Sequence, residues 1–377
     1  MKKILIVNNN MDMGGIQKSL VNLLKSTHTD YEYTLLLFSK TGALLDEVPS
    51  DVNVITPAPA YKMLGLIRKD LKGYPFLFFT KFILIRVARL VSRRTAVKLI
   101  GIGQPHLKGY DVAISYSHLA GEKSFANGCG DFVLDKVDSK QKICLIHCDY
   151  QNSGFYSGKN NREYGEFDSI ACCSESVRSR FLEMAPNLWD KTFVLRNFFD
   201  NTIEDKAYCA EETHYDSEFI NIVCVARLSE EKGIDRIFRA IKESSREELR
   251  LYLVGDGPQK LQLQSLVDDL SLTRQVFFVG EVVNPYRYIQ EADYLILMSY
   301  HEAAPLVFDE AHVLHTRIIS SDTTSAEEML FDTDELCATH DELVQCLAKL
   351  HKEAYIMPNS VNNDLQELQL KKLIGNE

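Results

Sequence analysis

The chain has 377 residues, 45% of them apolar and 25% charged, which marks a globular protein longer than the ~250–300 residues at which one core usually divides. A net charge of −11 argues against nucleic acid as a partner. No uncharged run approaches the ~20 residues that cross a bilayer, and the four apolar residues that follow the lysines of "MKKILIVNNN" are too few for a secretion signal.

In chain order, the first series of apolar runs is "KILIV" (3–7), "YTLLLF" (33–38), "DVAIS" (111–115), "KICLIH" (142–147) and "DSIACC" (168–173). A second series holds "INIVCVA" (220–226), "LYLVG" (251–255), "QVFFVG" (275–280), "DYLILMS" (293–299) and "RIISS" (317–321). Runs apolar on both faces, separated by helix-length segments, predict parallel strands covered by helices. The expected fold class is α/β, with two Rossmann-like, doubly wound parallel-sheet domains facing across a cleft. The polar stretch "DNTIEDKAYCAEETHYDS" lacks apolar periodicity, so the boundaries expected are a first domain over 1–199, a linker over 200–217 and a second domain over 218–360. Residues 361–377 predict a helix that returns to the first domain, with Leu365, Leu368 and Leu370 available for docking. The nine cysteines, an odd number set mostly within apolar runs, read as reduced thiols of a cytosolic protein.

Between Tyr61 and Ile100 the chain carries ten Lys/Arg and one acid, Asp70, so this window is +9 and the remainder −20. Within 81–101, Leu84, Val87, Ala88 and Val91 follow helical spacing on one side and Arg86, Arg89 and Arg93 on another. Such a helix can lay its apolar face in an anionic membrane and set its cations among headgroups. The same charge could instead be solvated or attract an acidic protein.

Ligands of open α/β sheets bind beyond the carboxyl ends of strands, and the residues best suited to bind one follow strands here. After 220–226 come Arg227 and Lys232 in "ARLSEEKGID", a fork and a point charge suited to a diphosphate, or a solvated turn if taken alone. After 251–255 come Gly255 and Gly257, which permit close approach of a ligand or make a plain turn. After 293–299 comes "YHEAAPLVFDEAH", in which Pro305 suits a helix start. Glu302 then lies in the loop and Glu310 in the helix, while the amides from about Ala304 to Val307, including that of Leu306, are free to hold phosphate oxygens. Carboxylates on either side of a phosphate suit sugar hydroxyls, at ~1.5–3 kcal/mol per sheltered charge-assisted bond.

These pieces, with "MDMGGIQKSL" after the first strand, "VGDGP" and "FVGEV", resemble a family 4 (GT4) retaining glycosyltransferase of the GT-B fold. The resemblance implies transfer of a hexose-type sugar from a nucleoside diphosphate sugar, UDP-linked, to a glycan or lipid-linked oligosaccharide in cell-surface polysaccharide synthesis, and the basic window adds an expected place on the cytoplasmic face of a membrane. It implies that Gly14 and Gly15 approach the transferred sugar and the diphosphate, that Arg227 and Lys232 neutralise the diphosphate, that Glu302 grips the sugar and that Glu310 holds the ribose. His147 matches the family's histidine beside the donor sugar, and Asn197 the asparagine before the crossing to the second domain. Ala303 stands where the family often has glycine. No cofactor and no metal are implied.

Other motifs read more plainly. "DTD" (332–334) reads as a solvated loop, "HCD" (147–149) lacks a second ligand pair for zinc, and His312 and His315 read as surface or packing residues. A non-catalytic subunit of the same fold is the alternative function. A nicotinamide-dependent dehydrogenase is weakened by the missing G-x-G-x-x-G.

Overall fold

A computed structural model describes residues 1–66, 68–210, 213, 215–352 and 362–375. The chain divides into two units: Met1–Phe199 with Asn363–Glu377, and Asp200–Asn362.

Unit 1 is built on seven parallel strands, β1 (Lys3–Asn8), β2 (Glu32–Leu37), β3 (Asn53–Ile55), β4 (Leu107–Ser115), β5 (Val137–Ile146), β6 (Ser169–Cys172) and β7 (Thr192–Val194). Their order, β3-β2-β1-β4-β5-β6-β7, reverses direction between β1 and β4. Leu5, Ile6 and Val7 of β1 and Ala113 and Ile114 of β4 are all fully or almost fully buried, because helices cover both faces of the sheet. The helix Gly15–Thr27 lies directly after β1 and buries Leu20, Val21, Leu23 and Leu24 in the core.

Unit 2 repeats the plan with β8 (Ile220–Val225), β9 (Leu249–Val254), β10 (Val276–Gly280), β11 (Tyr294–Leu297), β12 (Arg317–Ser321) and β13 (Glu335–Cys337). The order is β10-β9-β8-β11-β12-β13, so the reversal falls between β8 and β11. These two strands pair directly, Tyr294 with Ile222 and Leu295 with Val223. The helix Ile234–Ser244 is strongly amphipathic, and its Ile234, Ile237, Phe238 and Ile241 enter the core of the unit.

Several expectations change. Residues 200–208 of the expected linker belong to unit 2: the helix Ile203–Tyr208 buries Ile203 and Ala207, and Lys206 pairs with Asp200 at 2.7 Å. Two buried side chains a turn apart suffice there, a pattern too short for periodicity to reveal. Residues 211, 212 and 214 of that stretch, and 353–361, lie outside the described residues. The C-terminal helix, Asp364–Leu373, packs on unit 1 through Leu370, Leu373 and Ile374, whereas Leu365 and Leu368 are exposed. Lys2 Nζ donates to Ile374 O at 2.6 Å and Gln141 Nε2 to Leu373 O at 2.9 Å, holding the end of this helix against the base of the sheet.

The basic window also departs from its reading. Residues 81–101 are not one helix: Pro75–Leu90 ends, and Ser92 caps a second helix, Arg93–Ile100, by accepting from Thr95 N. Leu84 and Ala88 pack inward on unit 1, and the outer face instead carries Phe76, Phe79, Phe82, Ile83 and Leu90. Arg93 is fully buried. It donates to Asp131 Oδ2 at 2.9 Å and to Asn160 Oδ1 at 3.1 Å, and further to Glu163 and Ala120 O. Arg94 is held by Asp135 and Glu166. Arg93 is therefore an internal tie that adds nothing to an outer surface, and the charge of Arg94 is shared between its two acids.

All nine cysteines are free thiols, six of them buried and only Cys209 exposed. Among the described residues no helix is long and apolar enough to cross a membrane.

Candidate active site

In unit 2 the site forms where the strand order reverses. The turn after β8 runs through Arg227 to Lys232, and the loop after β11 runs from Ser299 to Pro305. The two are tied together: Tyr300 N donates to Glu231 O at 2.9 Å, and Arg236 Nη1 donates to Met298 O at 3.1 Å. This brings Lys232 Nζ to 2.5 Å from Glu302 Oε1, which also accepts from Ser299 Oγ at 2.8 Å. Both partners are mostly sheltered, with side-chain exposures of 23% and 14%. Arg227 stands exposed on the same turn. Glu231 is held below the usual carboxylate range, by the Ser229 hydroxyl first and also by the fields of Lys232 and Arg227.

The turn after β8 is pressed onto the one after β9. Gly255 has φ +142, and a Cβ there would lie 2.1 Å from Ala226 O; at Gly257 it would lie 2.3 Å from Leu228 O. Leu228 N donates to Asp256 O at 3.0 Å and Gln259 N to Leu228 O at 3.0 Å. What approaches these glycines in the structure is the chain itself, the plain-turn alternative of the two that the sequence left open. Their role is to seat the turn that carries Arg227.

The helix after β11 spans Leu306–Val313, with Pro305 as its N-cap at φ −71 and ψ 117. It begins one residue later than expected, so the free amides start at Leu306 rather than Ala304. Phe308 N closes the first turn on Pro305 O. Ala303 O accepts from Ser325 Oγ, and Ser321 Oγ donates to Ser299 O at 2.6 Å, so the loop after β12 braces the loop that holds Glu302. Thr323 Oγ1, in the same brace, is buried without a hydrogen-bond partner among the described residues. Glu310 is buried in the middle of the helix at 4% exposure.

Two residues later on that helix, His312 Nε2 meets Asp334 Oδ2 at 2.7 Å, and its ring lies 4.1 Å from that of Phe331. The Asp334 side chain is 0% exposed and also accepts from Ile318 N at 2.8 Å and Phe331 N at 2.9 Å. The "DTD" stretch is therefore a buried anchor at its last residue, where a solvated loop was expected. Ser299, Ser321 and Ser325 were missed in sequence because a serine at a strand end carries no pattern of its own.

Beside this site a cleft of about 850 Å³ is lined by Glu230, Glu231, Asp235, Asp269, Tyr300 and His301 among others. Its acids make it unsuited to a diphosphate.

Unit 1 carries its own set at the ends of β1, β4 and β5. Gly14 caps the helix that starts at Gly15, and a Cβ on Gly15 would meet nothing within 4 Å. His147 follows β5 with its ring 5.1 Å from Tyr116, and His118 follows β4 stacked on Phe155 at 5.2 Å. Burial pushes His147 down to about 3 and His118 to about 4, so both are neutral near pH 7. Among the described residues, His147 Nε2 and His118 Nδ1 are buried without hydrogen-bond partners. Ser19 Oγ joins Tyr116 OH to Asn197 Oδ1, each contact 2.9 Å, linking the first helix to the end of β4 and to the segment leaving unit 1. Among the described residues no group of three or more His, Cys, Asp or Glu side chains is arranged to hold a metal.

Residues 210–363 match the model of a family described as glycosyl transferases group 1. The crystal structure of Anabaena HepE in complex with UDP superposes with a TM-score of 0.65 at 17% identity, covering 99% of this chain and 96% of that one. The chain has the GT-B fold. Among curated relatives, the lipopolysaccharide core biosynthesis glycosyltransferase LpsD of Rhizobium meliloti is 38% identical over 139 residues, 37% of this chain and 39% of that protein. The N-acetylgalactosamine-N,N'-diacetylbacillosaminyl-diphospho-undecaprenol 4-alpha-N-acetylgalactosaminyltransferase of Campylobacter jejuni is 28% identical over 114 residues, 30% of this chain and 31% of that protein. The chain thus aligns with less than half the length of either relative, while the GT-B architecture extends over nearly all of it.

Proposed function

We propose that this protein is a family 4 retaining glycosyltransferase that moves a hexose-type sugar from a nucleoside diphosphate sugar, UDP-linked, to a glycan or lipid-linked oligosaccharide in the synthesis of a cell-surface polysaccharide. The observation that carries this reading is the contact of Lys232 with Glu302 at the join of β8 and β11. A cation for the diphosphate and an acid for the sugar meet at the crevice where open α/β sheets take their ligands. The names of LpsD, of the Campylobacter enzyme and of the HepE complex with UDP support the same class of donor and acceptor.

In this reading unit 2 takes the donor. Cleaving the bond from anomeric carbon to phosphate leaves charge on the diphosphate, which Lys232, Arg227 and the amides from Leu306 onward stabilise without a metal. Loss of one such preorganised group costs ~10²–10³ in rate. Glu302 accepts from sugar hydroxyls and Glu310 from the ribose. Gly255, Gly257, Ala303, Ala304 and Pro305 shape the floor beneath them. Unit 1 takes the acceptor, and its Gly14, Gly15 and His147 approach the transferred sugar and the diphosphate. Retention is by attack from the face the phosphate leaves, with the phosphate accepting the acceptor's proton, so no enzyme nucleophile is required.

The protein acts, in this reading, on the cytoplasmic face of an anionic membrane. Phe76, Phe79, Ile83 and Leu90 stand three, four and then seven residues apart along the helix Pro75–Leu90, one face of it, and are 80%, 68%, 64% and 81% exposed. An aromatic, aliphatic stripe beside Arg86 and Arg89 fits the boundary between headgroups and acyl chains.

The decisive experiment measures sugar transfer from a panel of nucleotide sugars for wild type, Lys232→Ala and Glu302→Ala. Transfer by wild type with loss of at least ~10²-fold in each variant supports the reading. Unchanged transfer in both variants sinks the site, and no transfer by wild type from any donor favours a non-catalytic role.

A further inference from the structure

At the elbow between the helices Pro75–Leu90 and Arg93–Ile100, unit 1 has a cleft of about 370 Å³. Ser92, Arg94, Thr95 and Lys98 line it from one side, Lys159 and Arg162 from the helix Gly158–Tyr164 on the other. Its two acids are each held by a guanidinium: Glu163 by the buried Arg93, which it shares with Asp131, and Glu166 by Arg94, which it shares with Asp135. Lys98 is only loosely engaged, 3.6 Å from Asp135 and 56% exposed. Among the described residues the side chains of Lys159 and Arg162 make no hydrogen bond or ion pair, so the cleft, lined by four cations and two acids, keeps a surplus of positive charge in an acidic protein. Like charges held across one cleft repel, an arrangement that an anion relieves.

The surroundings specify the kind of anion. Val91 and Leu99, next in sequence to Ser92 and Lys98 of the lining, are exposed apolar groups, and Leu90, which precedes Val91, ends the outer face of the helix Pro75–Leu90. Cations at the end of an apolar strip match a molecule with a phosphate joined to acyl chains. A guanidinium offers paired donors to phosphate oxygens and the lysines add point charges.

We propose that this cleft binds the phosphate of an anionic lipid headgroup. The proposal rests on the reading of the helix Pro75–Leu90 as membrane-facing and adds to it a specific headgroup site, made by residues of two separate segments and outside the machinery of sugar transfer.

The test is co-sedimentation of the full chain with vesicles of phosphatidylcholine alone and of phosphatidylcholine mixed with phosphatidylglycerol. Lys159→Ala/Arg162→Ala is expected to lower binding to the anionic vesicles by roughly tenfold or more, the effect of about two surface cations, and to leave transfer to a soluble acceptor unchanged. Lys108→Ala/Lys140→Ala removes the same charge from exposed positions elsewhere on unit 1. It is expected to change binding by no more than about twofold because distant exposed charges are screened. Equal losses in the two double variants, or no loss in the first, overturn the headgroup site. Calorimetric titration with inorganic phosphate separates the sources: binding that depends on Lys159 and Arg162, with vesicle binding unaffected by their loss, overturns a lipid ligand in favour of a free phosphate. A wild type held on vesicles through Phe76 and Phe79 but indifferent to Lys159 and Arg162 sinks this site alone. A wild type that ignores both kinds of vesicle sinks the membrane reading and this site with it.

Discussion

Lys232 Nζ lies 2.5 Å from Glu302 Oε1, so the cation that follows β8 and the acid that follows β11 neutralise each other across the join of the two strands. A diphosphate that engages Lys232 competes with Glu302 for it. Glu302→Gln removes the competitor and should leave UDP affinity unchanged or a few-fold higher, while slowing transfer ~10²–10³-fold. Lys232→Ala should weaken UDP and transfer together. Calorimetric titration with UDP beside a transfer assay separates these outcomes, and equal weakening of UDP by both substitutions would refute the pairing as a competition.

Two glycines of the site should respond in opposite ways. Alanine at Gly257 places a methyl group 2.3 Å from Leu228 O, so the turn bearing Arg227 must move, at a cost of ~1–3 kcal/mol in stability. Alanine at Gly15 meets nothing within 4 Å and sits at a helix start, so it should fold as well as wild type. If a ligand lies against Gly15, that same methyl raises KM. Thermal melts and steady-state kinetics of the two variants test both halves.

Asp334 accepts from His312, Ile318 N and Phe331 N with its side chain fully buried. Asp334→Ala strands at least two backbone donors, and a loss of ~2–4 kcal/mol is expected. Urea unfolding measures it. A loss below ~0.5 kcal/mol would mean that the helix bearing Glu310 is held by something else.

The histidines at the ends of β4 and β5 give a pH dependence of defined sign. Burial holds His147 near 3 and His118 near 4, both below the ordinary value of about 6.5. The fold prefers the neutral rings, so their contribution is complete above pH ~6.5 and declines as pH falls through the range down to ~3–4. Melting temperature followed from pH 7.5 to 4.5 should fall less steeply in His147→Phe than in wild type. A parallel fall in the two proteins would show that His147 takes up its proton as readily folded as unfolded.

Arg93 is the largest fully buried side chain that carries a charge, and its partners Asp131 and Glu163 are buried with it. Arg93→Ala leaves two carboxylates without a counterion, and a loss of ~3–5 kcal/mol is expected. Exposed Arg89→Ala, on the helix before it, should change stability by less than ~0.5 kcal/mol. Denaturant midpoints compare the two.

The ten strands read from apolar runs are all present, since a strand buried on both faces announces itself by composition. The three unread ones, β3, β7 and β13, have three residues each, and each lies at an edge of its sheet. An edge strand is covered on fewer sides, so Asn53 and Glu335 could be polar without penalty. The four residues expected to meet at the donor site all follow β8 or β11, because position after a strand is a property of sequence order. What sequence order could not provide is which loops brace one another: Ser325 on Ala303, or Gly257 under Leu228, depend on contacts between segments tens of residues apart. The basic window shows a second limit. Charge and spacing made Arg86, Arg89 and Arg93 look alike, and only Asp131 and Glu163, distant in sequence, distinguish the buried one.

The return of the helix Asp364–Leu373 to the sheet of unit 1 makes the stretch Asp200–Asn362 an insertion with its own core cluster, leaving its host at Phe199 and rejoining it at Asn363, where Phe199 N donates to Asn363 Oδ1 at 3.2 Å. Such modularity lets unit 2 be exchanged as one continuous cassette, which in the function proposed above would alter the sugar delivered and leave the acceptor unit intact. The converse graft has the same two junctions, but must supply unit 1 as two pieces, 1–199 and 363–377, and its tail must redock on the sheet.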